Sequence, residues 1–334
     1  MSKKSLKFGA IGCSHVAKKY FFPAIDDSEF TQLGFVGSRS LEKSKTWAND
    51  NDCDFFGYYD EVLESDVDAV YISLPISMHE EWVIKAAKYG KHILCEKSST
   101  TSYSSAKNMV KVCNDNDVSI LECLAFRFHP QHNFVKDYID NQKLGKISHF
   151  YGMYGFSPPE SDDIRWQKQL GGGILNDVTC YPICASRIVF DAEPESVFAN
   201  FVIDENLDID TSNHIMMHYS KNRYAYAVSG FKNYYQSSYS VWGAYAMLNT
   251  KRAYSVSKNF ETSLFLHQND TINEIKIPKK DQFQIMLENF TKSILNIDSQ
   301  DFDFKEDLLN QAKTMEAIRI SHKKKIPIFV DDVN

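Results

Sequence analysis

A short apolar strand, a glycine and a helix start open this chain, and that combination narrows its fold more than any other feature. Residues 6–11 read Leu-Lys-Phe-Gly-Ala-Ile and end on Gly12, and residues 15–25 read as a turn and the beginning of a helix. Further apolar runs at 32–38, 69–74, 92–95 and 119–123 are separated by helical patterns at 42–49, 79–89 and 104–116. Gly90 stops the second of these helices. Short apolar strands alternating with helices of about ten residues imply a parallel sheet covered on both faces, an α/β doubly wound fold.

The texture changes after residue 124. Residues 197–202, 214–219, 224–230, 239–243 and 246–248 read as strands with few helices between them, so an antiparallel sheet is expected there. Helical periodicity returns at 283–295 and 307–321, which makes the second region α+β. A chain of 334 residues exceeds what one core usually organises, and two domains follow, 1–124 and 125–334. Tyr234, Tyr235, Tyr239, Trp242 and Tyr245 lie close together in the second; sheet packing, a substrate platform and a subunit interface all fit them.

A net charge of -7 gives no reason to expect nucleic acid as a partner, because that attraction needs excess Lys and Arg. No run of about 18 apolar residues occurs and no signal-peptide core follows Met1, so a cytoplasmic chain without membrane spans is expected. Lys323, Lys324 and Lys325 read as a solvated turn beside Pro327. The seven cysteines, at 13, 53, 95, 113, 123, 180 and 184, form no Cys-x-x-Cys pair and have no metal-ligand spacing to His, so reduced, buried thiols and no metal are expected.

The segment Gly12-Cys13-Ser14-His15-Val16-Ala17 matches the dinucleotide fingerprint G-x-G-x-x-G/A at its ends, with Ser14 for the second glycine. The pattern needs little side chain there, since backbone must approach a pyrophosphate at a helix N-terminus. At the end of the second strand an NAD site would place Asp or Glu; this chain has Val36-Gly37-Ser38-Arg39, with Lys43 one turn later. Arg39 can pair with a 2'-phosphate, Ser38 can donate a hydrogen bond and Lys43 adds charge, so NADP(H) is the expected cofactor. Leu74 and Pro75 follow a strand end, and His79 beyond them either faces the nicotinamide or neighbours a helix cap.

Three spaced segments resemble the family of glucose-fructose oxidoreductase and inositol dehydrogenase. Leu94-Cys95-Glu96-Lys97 is similar to its Glu-Lys-Pro segment, and Glu122 to Pro130 is similar to its entry to the second domain. Gly171-Gly172-Gly173-Ile174-Leu175-Asn176-Asp177 with Tyr181-Pro182 is similar to its active-site helix start. The resemblance implies a Rossmann domain, then an open and mostly antiparallel sheet domain, with substrate over the nicotinamide between them and homodimers or homotetramers formed through the second sheet. It implies that Glu96 and Lys97 touch the cofactor, Lys97 and Tyr181 do the chemistry, and Asp177 lines the sugar site; Arg165 and Trp166 are further substrate-site candidates. Ser98 departs from the family's proline, removing that residue's fixed φ.

Reducing a ketone needs hydride at carbon and a proton at oxygen. A tyrosine holds its proton at neutral pH, and a nearby ammonium favours the phenolate, which is the role the resemblance gives to Tyr181 and Lys97. The stretch Tyr235-Gln236-Ser237-Ser238-Tyr239-Ser240-Val241-Trp242-Gly243, with Arg252-Ala253-Tyr254, resembles members that reduce a 3-keto group on a nucleotide-linked sugar, and places Tyr235 at the substrate. Dehydrogenation of free sugars, polyols or dihydrodiols is the alternative, and a catalytically silent NADP-binding regulator is the third reading.

Overall fold

The computed structural model describes residues 5–297 and 302–334. They divide into two compact units, one from Met1–Leu124 and Phe283–Leu309, the other from Ala125–Gln282 and Asn310–Asn334.

The first unit is built on six parallel strands: β1 Leu6–Ile11, β2 Thr31–Gly37, β3 Phe56–Gly57, β4 Ala69–Ile72, β5 His92–Cys95 and β6 Ile120–Glu122. Their order is β3-β2-β1-β4-β5-β6. The chain moves outward from β1 to β3 and restarts beside β1 at β4, so the two strands flank the switch point where such sheets bind ligands. All four residues of β4 are buried, as expected for a strand covered on both faces. Phe21 stacks on Tyr71 at 4.2 Å between ring centroids, and both side chains are fully buried.

Residues 283–309 count with this unit, whereas the sequence grouped them with 125–334. Their packing explains the difference. Phe283 stacks on Tyr20 and meets Tyr71 edge-on, Gln284 donates to the Asp27 carbonyl, and Lys305 donates to Asn114. Phe283 is 4% exposed, so the segment supplies apolar cover that residues 1–124 lack.

The second unit carries nine strands: β7 Ile147–Phe156, β8 Ser196–Asp204, β9 Ile209–Tyr219, β10 Arg223–Phe231, β11 Gln236–Gly243, β12 Met247–Thr250, β13 Thr262–Gln268, β14 Thr271–Ile277 and β15 Ile328–Phe329. Their order is β14-β13-β12-β11-β7-β10-β9-β8-β15, antiparallel except where β10 runs parallel to β7. The helix Cys180–Phe190 is buried at every position except Tyr181 and Ile188. Lys323 and Lys324 correct the expected turn: the helix Phe304–Lys324 runs through them, and Lys325 ends it with φ 59°. All seven cysteines are buried, and none is in a disulfide. Among the described residues no helix is long and apolar enough to cross a membrane, and no cluster of His, Cys, Asp or Glu could hold a metal.

Candidate active site

In the first unit the expected cofactor residues gather at the carboxyl ends of β1, β2, β4 and β5. Gly12 has φ 109° and sits against β4; a Cβ there would lie 3.0 Å from Ser73 Oγ and 3.1 Å from a Leu74 methyl. That backbone approach is why glycine follows β1. Ser73 Oγ donates to the Gly12 carbonyl, and the Gly12 N–H donates to Gly37. Ser14 takes the N-cap role at the helix that begins with His15 and Val16, its Oγ accepting from the Ala17 N–H at 3.0 Å. A side-chain oxygen thus fills one bond that a helix N-terminus leaves open. Cys13 is buried against the Gly37 carbonyl, and burial raises its thiol pKa, with Lys43 opposing.

Ser38 is buried and its Oγ accepts from Ser40 N–H, while Arg39 and Lys43 are exposed beside it. Burial raises the Tyr59 pKa, and the charge of the Arg39 guanidinium opposes the rise. Lys43 Nζ lies 5.5 Å from the Trp47 ring. The end of β2 therefore offers a buried hydroxyl and two cations with no adjacent carboxylate in Gly37-Ser38-Arg39, a set that fits a nucleotide with a 2'-phosphate. Pro75, half-buried after the buried Leu74, lines the exit of β4.

Two expected cofactor contacts are turned elsewhere. His79 is fully buried, with Nε2 2.8 Å from the Leu74 carbonyl and Nδ1 3.1 Å from the Ser98 carbonyl. Burial lowers its pKa although both carbonyls favour the charged ring. Glu96 accepts from the Tyr71 hydroxyl at 2.7 Å and from the Lys97 N–H at 3.2 Å, and burial raises its pKa. Both side chains act on the backbone around Lys97 rather than pointing out of the unit. Lys97 lies at the end of β5, half-buried, and the Lys97–Ser98 peptide bond is cis. Ser99 N–H, donating to the buried Glu122 at 2.8 Å, ties the same segment to β6.

In the second unit Tyr181 is half-buried on a helix that is buried elsewhere except at Ile188, in a nest of rings: Tyr154 at 5.3 Å, Phe126 at 5.5 Å and Tyr254 at 5.8 Å. Asp177, in the helical turn Leu175–Thr179 that leads into this helix, accepts from Arg165 Nε at 2.7 Å, and Arg165 also grips Asp163. Burial works against the Arg165 charge, but the two carboxylates prevail and raise its pKa. The glycine turn makes this pairing: Gly173 has φ 102°, its N–H donates to the Arg165 carbonyl, and a Cβ on it would fall 2.1 Å from Asp210 Oδ1. Asp210 in turn accepts from the Leu175 N–H at 2.7 Å. Trp166 packs edge-on against Phe231, and Tyr235 lies against Arg252.

Sequence reasoning passed over His132. Its Nε2 faces the Ala253 carbonyl at 3.1 Å and its Nδ1 faces the Tyr239 hydroxyl at 2.8 Å, so one neutral tautomer satisfies both, and burial holds its pKa down to about 3. Its sole signal was a lone histidine on a helix.

Comparison with known proteins assigns both halves of the site to one family. Residues 6–122 match the model of the oxidoreductase family with an NAD-binding Rossmann fold, and residues 132–249 match the GFO/IDH/MocA C-terminal domain. The chain belongs to the Gfo/Idh/MocA oxidoreductase family. Among its family relatives is a dTDP-3,4-didehydro-2,6-dideoxy-alpha-D-glucose 3-reductase of Saccharopolyspora spinosa, 28% identical over 95% of this chain and 97% of the relative. A D-xylose 1-dehydrogenase (NADP(+)) of Haloferax volcanii is 27% identical over 94% of this chain and 96% of its own length. The crystal structure of a 3-ketoreductase from Actinomadura kijaniata, in complex with NADP and TDP-benzene, superposes with a TM-score of 0.91 at 28% identity, covering 95% of this chain and 98% of that one. The two-domain fold implied by the sequence is therefore shown.

Proposed function

We propose that this oxidoreductase uses NADPH to reduce a keto group, at ring position 3, of a nucleotide-linked sugar in deoxysugar or surface-polysaccharide synthesis. The observation that carries the reading is the near full-length similarity, through both domains, to a dTDP-sugar 3-reductase and to a 3-ketoreductase crystallised with NADP and TDP-benzene. Gly12, Cys13, Ser14, His15 and Val16 would hold the pyrophosphate, and Ser38, Arg39 and Lys43 the 2'-phosphate. Leu74 and Pro75 line the same end of the sheet. Bound NADPH supplies the hydride.

The chain's own residues manage the proton and the charge. Tyr181 donates the proton to the carbonyl oxygen, and its ring nest fixes the hydroxyl's direction. The Lys97 ammonium stabilises the alkoxide as charge builds. Asp177, oriented by Arg165, accepts from sugar hydroxyls, and Trp166 and Tyr235 offer apolar faces.

The NADP-dependent D-xylose dehydrogenase among the relatives favours a second reading, oxidation of a free sugar. Following NADPH with a panel of nucleotide-linked keto sugars and free sugars, for wild type, Tyr181→Phe and Lys97→Ala, separates them. Turnover that requires the nucleotide and falls about 10² to 10⁴-fold in Tyr181→Phe supports the proposal. Turnover of free sugars alone supports the second reading, and tight NADPH binding with no turnover supports a regulator.

We also propose a cytoplasmic homo-oligomer. The buried thiols, none in a disulfide, suit a reducing compartment. On one face of the second sheet Tyr151 pairs in register with Tyr226 and Met153 with Val228, and Tyr151, Met153 and Val228 are exposed. An apolar patch of this kind suits a second copy of the chain.

A further inference from the structure

Arg252, in the second unit, is held as a cation and given no carboxylate. Its guanidinium carbon lies 4.6 Å from the Tyr235 ring centroid and 5.3 Å from that of Phe260. Among the described residues no Asp or Glu pairs with it, and its N–H groups donate to no acceptor. An arginine whose faces lie against rings keeps its hydrogen-bonding edge for something else.

The backbone beneath it is tied down. Gln131 Nε2 donates to the carbonyls of both Arg252 and Ala253, at 3.0 and 3.2 Å, and His132 meets the Ala253 carbonyl. The Ala253 N–H donates to the Ser237 carbonyl, and the Tyr254 N–H donates to Ser237 Oγ. Gln131 is fully buried and His132 nearly so, which makes these anchors part of the core. Tyr254, one of the rings around Tyr181, is two residues further along, at most about 7 Å of extended chain. The segment that walls the Tyr181 nest therefore also presents the guanidinium.

We infer that Arg252, flanked by Tyr235 and Phe260, is an anion subsite for the diphosphate of a nucleoside-diphosphate substrate. The inference rests on the nucleotide-sugar reading above and adds to it the residue that recognises the linkage. Planar N–H pairs match two phosphate oxygens, and the aromatic faces hold the plane so that little side-chain freedom is lost on binding. The sugar ring lies toward Tyr181 and the nucleoside away from it.

The test is calorimetric titration of the full chain, saturated with NADPH, with dTDP, UDP, inorganic pyrophosphate and thymidine, using wild type, Arg252→Gln and Arg252→Lys. We expect dTDP or UDP to bind wild type, thymidine to bind far more weakly, and Arg252→Gln to lose about ten- to a hundredfold in nucleoside-diphosphate affinity, with Arg252→Lys between. NADPH affinity, titrated separately, stays within about twofold and reports that the variant is folded. Phe260→Leu, at an exposed position, removes one ring and weakens dTDP by a smaller factor, which covers the case in which Arg252→Gln does not fold. Equal dTDP affinity in wild type and Arg252→Gln overturns the inference, as does a wild type that binds neither nucleoside diphosphate nor pyrophosphate. Arg252-dependent binding without reduction of any nucleotide-linked keto sugar keeps the subsite and removes the ketoreductase reading. Reduction of such sugars with a KM unchanged in Arg252→Gln keeps the ketoreductase and removes the subsite. Pyrophosphate binding that equals dTDP binding assigns the recognition to the phosphates alone.

Discussion

His79 reaches the Ser98 carbonyl with Nδ1 at 3.1 Å, tying the start of the helix His79–Lys88 to the residue that follows Lys97. The other ring nitrogen holds the Leu74 carbonyl, so one imidazole joins two strand ends of the nucleotide-binding sheet. A neutral ring can donate to only one of them. His79→Leu removes the link and the one hydrogen bond that the buried neutral ring donates, and we expect a stability loss of about 1–3 kcal/mol in urea denaturation. In the folded fraction kcat should fall more than KM rises, because Lys97 is displaced, and His79→Gln, which keeps a donor, should recover part of it. A variant with wild-type kcat would show that the link does not position Lys97.

Arg39 and NADPH preference provide a second check. Arg39→Ser leaves the Ser38 hydroxyl and Gly12 turn intact but removes the guanidinium from the end of β2. NADPH affinity, followed by fluorescence titration, should drop about ten- to a hundredfold while NADH affinity stays unchanged. Equal losses for both cofactors would contradict a 2'-phosphate role.

Acid should weaken the second unit through its histidines. Burial lowers the pKa of His132 to about 3 and of His129 to about 4, against the 6.5 of an unfolded chain. The stability these neutral rings contribute is complete above pH 6.5 and is lost as pH falls through 6.5 toward their folded values, since the unfolded chain takes up protons first. By pH 5 each can cost up to about 2 kcal/mol. Denaturation of wild type and His132→Gln at pH 7 and pH 5 measures this; the gap between the two proteins should narrow at the lower pH.

Gly173→Ala places a methyl where φ is 102° and where Asp210 Oδ1 would lie 2.1 Å away. We expect a loss of about 2 kcal/mol or more, seen as a lowered Tm, because the backbone and the carboxylate must both shift. The Asp210 bond to Leu175 N–H goes with it, and KM for substrate should rise through the displaced Asp177. An unchanged Tm would show that the turn relaxes freely.

The parallel sheet was legible because its strands are buried on both faces and so read as continuous apolar runs, as Ala69–Ile72 does. Strand β7 was not, since Ser148, His149, Gly152 and Gly155 break up its apolar residues. The ends of the β2 and β5 strands marked Ser38, Arg39 and Lys97 correctly as strand-end residues. What pattern could not show is direction: Glu96 and His79 occupy motif positions, yet their polar atoms turn inward to Tyr71, Leu74 and Ser98. Arg252 entered only as part of the Arg252-Ala253-Tyr254 resemblance, because its pairing with Phe260 depends on a residue eight positions later in a loop.

The return of residues 283–309 to the first unit gives the nucleotide-binding half an order of assembly. During synthesis, its six strands emerge long before Phe283 exists to cover Tyr20 and Tyr71. Between the synthesis of Glu122 and that of Phe283 the sheet must wait with that apolar surface open, a state prone to association with other chains. A fragment ending at Leu124 would be left in that state for good, so the nucleotide-binding half is best isolated by removing material from the middle of the chain rather than from its end.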